Sequence, residues 1–453
     1  MKNSTRVARK DVIQLSDHFT YARLARFVMP SVIMMVFTSI YGVVDGLFVS
    51  NFVGKTPFAA VNFIFPLIMI LGAVGFMLGT GGTAIVAKTL GEGDKARANK
   101  YFSLIIYTAI ISGTVIALIG IIFVRPIAVL MGGEGEMLDC AVLYARVVLI
   151  GLPFFMLQNS FQNFFVTAEK PKIGLFVTVA AGVTNIVCDA LFVAVFRWGL
   201  AGAAAATALS QFIGGVLPLI YFSRKNTSLL RLGRAELNAG VLLRTCTNGS
   251  SELMSNISSS LVTLLYNTQL LRYAGNDGIA AYGVIMYVSF TFVAIFIGIV
   301  IGAAPIVSFN YGANNREELH GVFKKCTVIV TVLGGAMTAL ALILAGPLSG
   351  VFVGYDEALY ELTLRGFIIY SLHYVLAGFG IFGSSFFTAL NNGGISAAIS
   401  FLRTLVFQCS AVLLLPLAFG IDGVWFSVLV AELLSFAVTL TFIITQRKKY
   451  GYA

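Results

Sequence analysis

Charged side chains are scarce in this sequence: Lys, Arg, Asp and Glu make up 11% of it, where a soluble protein carries about 25%. Too little polar surface is left to coat a water-soluble globule. The three histidines, His18, His320 and His373, are too far apart for an H-E-x-x-H zinc site. The five cysteines (Cys140, Cys188, Cys246, Cys326 and Cys409) lie in or beside apolar segments and form no C-x-x-C pair. Buried structural thiols are expected rather than a disulfide framework or a metal cluster. No G-x-x-x-x-G-K-S/T segment occurs, which excludes ATP binding by a P-loop. The glycine-rich stretch Gly79 to Gly82 ends an apolar helix instead of following a strand, so close helix packing is its expected role. No catalytic constellation is visible, and no enzyme activity is expected.

Long apolar runs are what the sequence has in abundance. Phe27 to Asn51 contains one ionisable residue, Asp45, and Phe58 to Ala87 contains none. A bilayer core about 30 Å thick is crossed by roughly 20 helical residues, so each run can span it. Only helices or closed barrels satisfy the backbone in hydrocarbon, and the alternation of barrel strands is missing. The length of 453 residues could suit two or three soluble domains, but the apolar runs overrule that reading. The basic start (Lys2, Arg6, Arg9, Lys10) precedes a run too long for a signal peptide and lacking a small-residue cleavage site, so a retained first helix is expected.

The net charge of +10 invites a nucleic-acid reading that its distribution removes. If sides alternate, 24 of the 30 Lys and Arg fall on the segments that share a side with the N-terminus, including Lys88 to Lys100, Arg224 to Arg244, Arg403 and Arg447 to Lys449. This is the positive-inside bias, with both termini cytoplasmic in a multi-pass protein of the inner (plasma) membrane. No basic stripe carries interleaved aromatics; the expected partners are the lipid bilayer and small molecules, not nucleic acid, and a monomer is expected.

One offset of 221 residues relates the two halves. It pairs Gly54 with Gly275, Ile85-Val86 with Ile306-Val307, Gly91 with Gly312, Pro126 with Pro347, Thr167-Ala168 with Thr388-Ala389, and Gly199-x-x-Gly202 with Gly420-x-x-Gly423. Each half holds about six helices, so both enter the membrane from the same side. Such a parallel repeat places a substrate path between halves. The expected fold is all-α integral membrane, about twelve transmembrane helices in two six-helix pseudo-symmetric lobes. Helices are predicted at 27–52, 58–82, 100–124, 137–166, 172–196 and 200–223, then 241–272, 278–303, 319–346, 357–389, 393–419 and 422–446. These divide the chain into a cytoplasmic segment 1–26, an N-lobe 27–223, a linker 224–240, a C-lobe 241–446 and a tail 447–453.

Ionisable groups at membrane depth cost at least about 2.5–3.5 kcal/mol each and are usually functional or paired. The candidates are Asp45, Arg146, Asp189, Glu252, His373 and Glu432. Asp45, Asp189 and Thr207 lie at a common depth of roughly 10–14 Å below the far ends of their helices. Asn185 is one turn from Asp189 on the same face. Two acids with amide and hydroxyl oxygens suit a dehydrated Na⁺, or they can share protons because burial and like charge disfavour double ionisation. The two ions would compete for one site. The repeat equivalents, Tyr266 and Ser410, carry no acid. On predicted helix 7, Glu252, Asn256, Ser260, Thr263 and Asn267 trace one polar ridge. It faces either the central cavity, where Glu252 would attract cations, or another helix as hydrogen-bond glue. Predicted helix 4 carries a shorter amide ridge, Gln158, Asn159, Gln162 and Asn163, open to the same two readings. For His373 a packing role is the expectation and a proton relay the alternative; Arg146 and Glu432 receive no role.

These segments resemble the multidrug and toxic compound extrusion (MATE) family, nearest to its bacterial Mep-type and DNA-damage-inducible branch. The likeness runs from Pro30 to about Gln446. Its carriers are Tyr41-Gly-Val-Val-Asp45-Gly-Leu-Phe-Val, the repeated Ile85–Gly91 and Ile306–Gly312 segments, Asn185-Ile-Val-Cys-Asp189, Gly199-Leu-Ala-Gly-Ala, Gly249-Ser-Ser-Glu252 and Leu265-Tyr-Asn-Thr-Gln-Leu270. The resemblance implies two lobes in a V, alternating between inward- and outward-open states. It also implies efflux of small cationic or amphipathic compounds driven by Na⁺ or H⁺ entry, with no bound cofactor. It places a cation site at Asp45, Asn185, Asp189 and Thr207, and a helix-1 bend at Pro30. A C-lobe acidic site on helices 7, 8 and 10, known in another branch, is poorly matched: helix 10 offers only His373 in its middle. The competing expectation is a flippase for lipid-linked oligosaccharides. That activity needs several buried basic residues along the cavity, and only Arg146 is a clear candidate.

Overall fold

The computed structural model describes residues 13–452; the basic residues Lys2, Arg6, Arg9 and Lys10 lie outside them. Among the described residues twelve spans follow in order: α1 (Tyr21–Val53), α2 (Lys55–Gly91), α3 (Lys95–Leu130), α4 (Gly135–Thr167), α5 (Pro171–Val195), α6 (Gly199–Ser223), α7 (239–274), α8 (276–312), α9 (Arg316–Val353), α10 (Glu357–Ser371 continuing as Tyr374–Ala389), α11 (Gly393–Phe419) and α12 (Ile421–Tyr450). α7 and α8 form one 74-residue helical run broken at Gly275, whose φ of 62° and ψ of −149° are non-helical. At 1.5 Å per residue, 74 helical residues would reach roughly 110 Å, far beyond one bilayer, so the break separates two spans. α10 bends by 46° beside His373. Among the described residues there is no strand. This is a multi-pass membrane protein.

The repeat is written into the backbone. The left-handed positions recur at the 221-residue offset: Gly54 (φ 120°) and Gly275 (62°), Gly93 (86°) and Asn314 (55°), Gly199 (59°) and Gly420 (58°). Helix starts recur likewise. Asp94 accepts a hydrogen bond from the Arg97 N–H at the head of α3, and Asn315 one from the Glu318 N–H at the head of α9, each satisfying a donor the helix cannot. α1 to α6 form one lobe and α7 to α12 the other, joined by the non-helical segment 224–238.

The lobes meet most closely on the half nearer the chain termini. A β-carbon on Gly249 of α7 would stand 1.9 Å from the Met77 carbonyl oxygen of α2, and one on Gly298 of α8 would stand 2.4 Å from Cα of Val32 in α1. Gly91 and Gly312, equivalent in the repeat, press against the backbones of α8 and α2 in turn. The termini add to this seam. Leu15 and Phe19, both fully buried, join a core cluster built mainly from α8, α9 and α10.

Several sequence expectations are corrected here. α1 begins at Tyr21, six residues early, and α12 runs to Tyr450 beyond the expected end at 446. Pro30 lies inside a helix that is unbroken from Tyr21 to Phe48; the neighbouring Val28, Ser31 and Val32 lie against Gly298 and Gly302 of α8. Three of the cysteines, Cys140, Cys246 and Cys409, are only half-buried, whereas Cys188 and Cys326 are buried; all five are free thiols. Arg146 is exposed on the flank of α4. Arg403, expected on the inner side of the membrane, is half-buried within a span, its side chain 19% exposed. It lies inside α11, in a π-helical stretch, Phe401–Phe407.

Candidate cation site and substrate cavity

α1 packs on α5, α5 on α6, and α4 on α6. This brings the membrane-depth acids of the first lobe together. Asp45 faces Asp189, and Asn185 stands beside Asp45. Asp189 is fully buried and Asn185 nearly so. Both α1 and α5 finish in π-helical turns, Val49–Val53 and Ala190–Val195, so the acids lie just before widened turns. Such turns are frequent at functional sites.

The oxygens around this point lack donors. Asp45 Oδ1, both carboxylate oxygens of Asp189 and the Thr207 hydroxyl are buried with no hydrogen-bond partner among the described residues. Buried polar atoms are normally satisfied, and two bare carboxylates in apolar surroundings repel each other. A set of hard oxygen ligands without hydrogen-bond partners among the described residues fits a small cation or a shared proton.

Sequence reasoning missed two groups here. Tyr144 of α4 lies near Thr207 and both acids, and Tyr41, one turn before Asp45, approaches Gln158. A signal existed for Tyr144. It lies nine residues inside the far end of α4, about 14 Å by helical rise, the depth shared by the acids.

The α7 ridge has one face in the open. Thr263 is exposed, and Glu252, Asn256, Ser260 and Asn267 are half-buried. Its polar groups bond within their own helix: the Asn256 amide donates to the Glu252 carbonyl, Ser260 to that of Asn256, and Thr263 to that of Ser259. Among the described residues these side chains make no hydrogen bond to another helix. Glu252 comes three residues after Gly249, whose backbone touches α2, so it stands where the lobes begin to part. The α4 amides are placed differently. Asn159 and Asn163 are buried, donate to the Phe155 and Asn159 carbonyls, and pack beside Gly79 of α2. Gln162 donates to Thr178 of α5. These side chains belong to the lobe interior rather than to an open cavity, because α2 covers their face.

His373 is buried in the bend of α10, its Nδ1 2.6 Å from the Tyr370 carbonyl and its ring between Tyr370 and Tyr374. Glu432 of α12 holds Arg403 through three hydrogen bonds, two from Nε (2.9 and 3.1 Å) and one from Nη2 (2.7 Å).

Two repeated six-helix lobes, with the unpartnered oxygens of Asp45, Asp189 and Thr207 inside one of them, fit the transporter class of multi-pass membrane protein. A family model described as MatE matches residues 30–191 and 253–412, one stretch in each lobe. The chain belongs to the MatE family. It is 24% identical over 414 residues to the Multidrug export protein MepA of Staphylococcus saprophyticus, covering 90% of each chain, and 24% identical over 417 residues to that of Staphylococcus aureus strain MRSA252, covering 91% of each. Among solved structures it resembles an "Outward-facing conformation of a multidrug resistance MATE family transporter of the MOP superfamily". That likeness has a TM-score of 0.90 at 22% identity and covers 98% of this chain and 99% of that one.

Proposed function

We propose that this protein is a secondary transporter that exports small organic compounds, cationic or amphipathic ones above all, in exchange for Na⁺ or H⁺ entering through the N-lobe. The observation that carries the coupling is the set of unpartnered oxygens on Asp45, Asp189 and Thr207. The MepA relatives, named as multidrug export proteins, support the direction and breadth of transport.

The geometry suits alternating access. A cation or proton between Asp45 and Asp189 cancels their repulsion and lets α1 and α5 close on each other; its departure separates them again. α1 also forms the seam with α8, so a change at the acids is felt where the lobes meet. With the termini in the cytoplasm of a cell whose plasma membrane holds the protein, the tightly packed half closes the inner side and the α7 ridge opens outward. Moving Arg403 into a span still leaves 23 of 30 basic residues on the inner side, which supports that orientation. A flippase for anionic carriers fits less well, since Arg403 is already neutralised by Glu432 and Arg146 is turned away on the flank of α4.

The test is transport of a lipophilic dye cation in proteoliposomes under separately imposed Na⁺ and pH gradients. Asp45→Asn and Asp189→Asn are each expected to lose gradient-driven transport at least tenfold, while dye binding persists. Full coupled transport by both variants would remove the site assignment, and a requirement for ATP would remove the mechanism.

A further inference from the structure

The second lobe contains the same frame with different chemistry. By the 221-residue offset, Asp45 corresponds to Tyr266, Asp189 to Ser410, Gly182 to Arg403 and Gln211 to Glu432. In the N-lobe the space over Gly182 is filled by Phe37 and Tyr41, within 2.4 and 2.9 Å of where a β-carbon would stand. Their counterparts in the C-lobe are the smaller Ser258 and Val262. Arg403 stands at the Gly182 position. Gly380 of α10 makes space for its side chain, since a β-carbon there would stand 2.9 Å from Arg403 Cδ. The guanidinium then meets Glu432, whose side chain is 6% exposed. Tyr266, at the Asp45 position, turns its hydroxyl to Ser427, 2.6 Å away.

We propose that Arg403 is a resident cation: its guanidinium takes, in the C-lobe, the part that an exchangeable cation takes in the N-lobe, so the Arg403–Glu432 site is permanently neutral and takes no coupling ion. The proposal rests on the N-lobe reading above and extends it to the number of coupling sites. Arginine keeps its charge at any physiological pH, and the fork of three hydrogen bonds ties it to Glu432 as no diffusible ion is tied. The N-lobe acid site changes charge in each cycle while the Arg403–Glu432 site is a fixed reference.

Removal of a buried pair as a unit is tolerated far better than removal of one partner, which gives the experiment two arms. Arg403→Met leaves Glu432 uncompensated. Its gradient-driven dye transport and its thermal midpoint are expected to fall, transport at least tenfold, and millimolar guanidinium chloride is expected to restore both while leaving wild type unchanged. The double variant Arg403→Met with Glu432→Met is expected to transport within about threefold of wild type, with the same number of coupling ions per dye and no response to guanidinium. Loss of ion coupling in the double variant, or a single variant indifferent to guanidinium, would overturn the proposal. Guanidinium rescue of the thermal midpoint does not depend on Asp45 or Asp189. Rescue together with normal coupling in Asp45→Asn would therefore discard the N-lobe reading and leave the resident cation standing.

Discussion

Gly81 of α2 and Thr245 of α7 belong to different lobes, yet a β-carbon on Gly81 would stand only 2.0 Å from the Thr245 carbonyl oxygen. Backbone faces backbone at this point, so no flexible side chain can yield. Gly81→Ala must push the lobes apart on the closed half, at a cost of about 1–3 kcal/mol by analogy with overpacked cores. The variant is expected to favour the opposite conformation. Labelling of a cysteine placed at Thr245 should rise about tenfold when a membrane-impermeant reagent acts from the side of the termini. Unchanged labelling would show that the seam does not set the equilibrium.

Glu252 stands at the floor of the parting lobes with its charge unpaired among the described residues. Glu252→Gln keeps shape and removes charge. The KM for a monovalent dye cation should rise about tenfold, equal to about 1.4 kcal/mol of lost attraction, with transport of a neutral amphipathic compound altered less than twofold. Equal losses for both compounds would assign Glu252 to structure instead of substrate.

A short stretch before α1 is fastened to both lobes. The Leu15 N–H donates to Glu169 of the N-lobe at 2.7 Å. Glu318 of the C-lobe accepts from the Phe19 N–H at 2.8 Å and pairs with His18 Nδ1 at 2.6 Å. Hydrogen bonds to charged groups contribute about 1.5–3 kcal/mol, enough to bias a two-state transporter. Glu318→Gln is expected to weaken this strap and to speed the opening of the closed half about tenfold, read by single-molecule distance changes between labels on α2 and α7. An unaltered opening rate would mean that the strap moves with one lobe only.

Glu169 also predicts a pH effect. It lies in the turn between α4 and α5, and burial pushes its carboxyl above the usual carboxylate range, an effect partly offset by the Leu15 hydrogen bond. A raised value means that the fold prefers the protonated form. The associated stability is present below the ordinary carboxylate value and is lost as pH rises through the raised one. Glu169→Gln keeps an acceptor for Leu15 without the charge, so it should melt above wild type at pH 7.5 and converge with it toward pH 4.5. A thermal midpoint lowered by the substitution at pH 7.5 would contradict this account.

The sequence alone determined the number of spans and the repeat, because burial in hydrocarbon demands long uncharged runs and because Gly54 and Gly275, or Gly199 and Gly420, mark helix ends that only special backbone angles allow. It also determined the candidate acid pair. Helical rise converts residue number into depth, and two carboxylates at one depth in hydrocarbon repel each other unless a cation or a proton lies between them. Tertiary structure decided what each polar face meets. Asn159 and Asn163 have the same spacing as a cavity ridge, yet α2 covers them. Arg403 reads in the sequence as one of the inner-side charges, and only the packing of α10, α11 and α12 places it against Glu432. Spacing along one helix fixes which side chains share a face, but the partner of that face lies far away along the chain and is chosen by the shape left between helices.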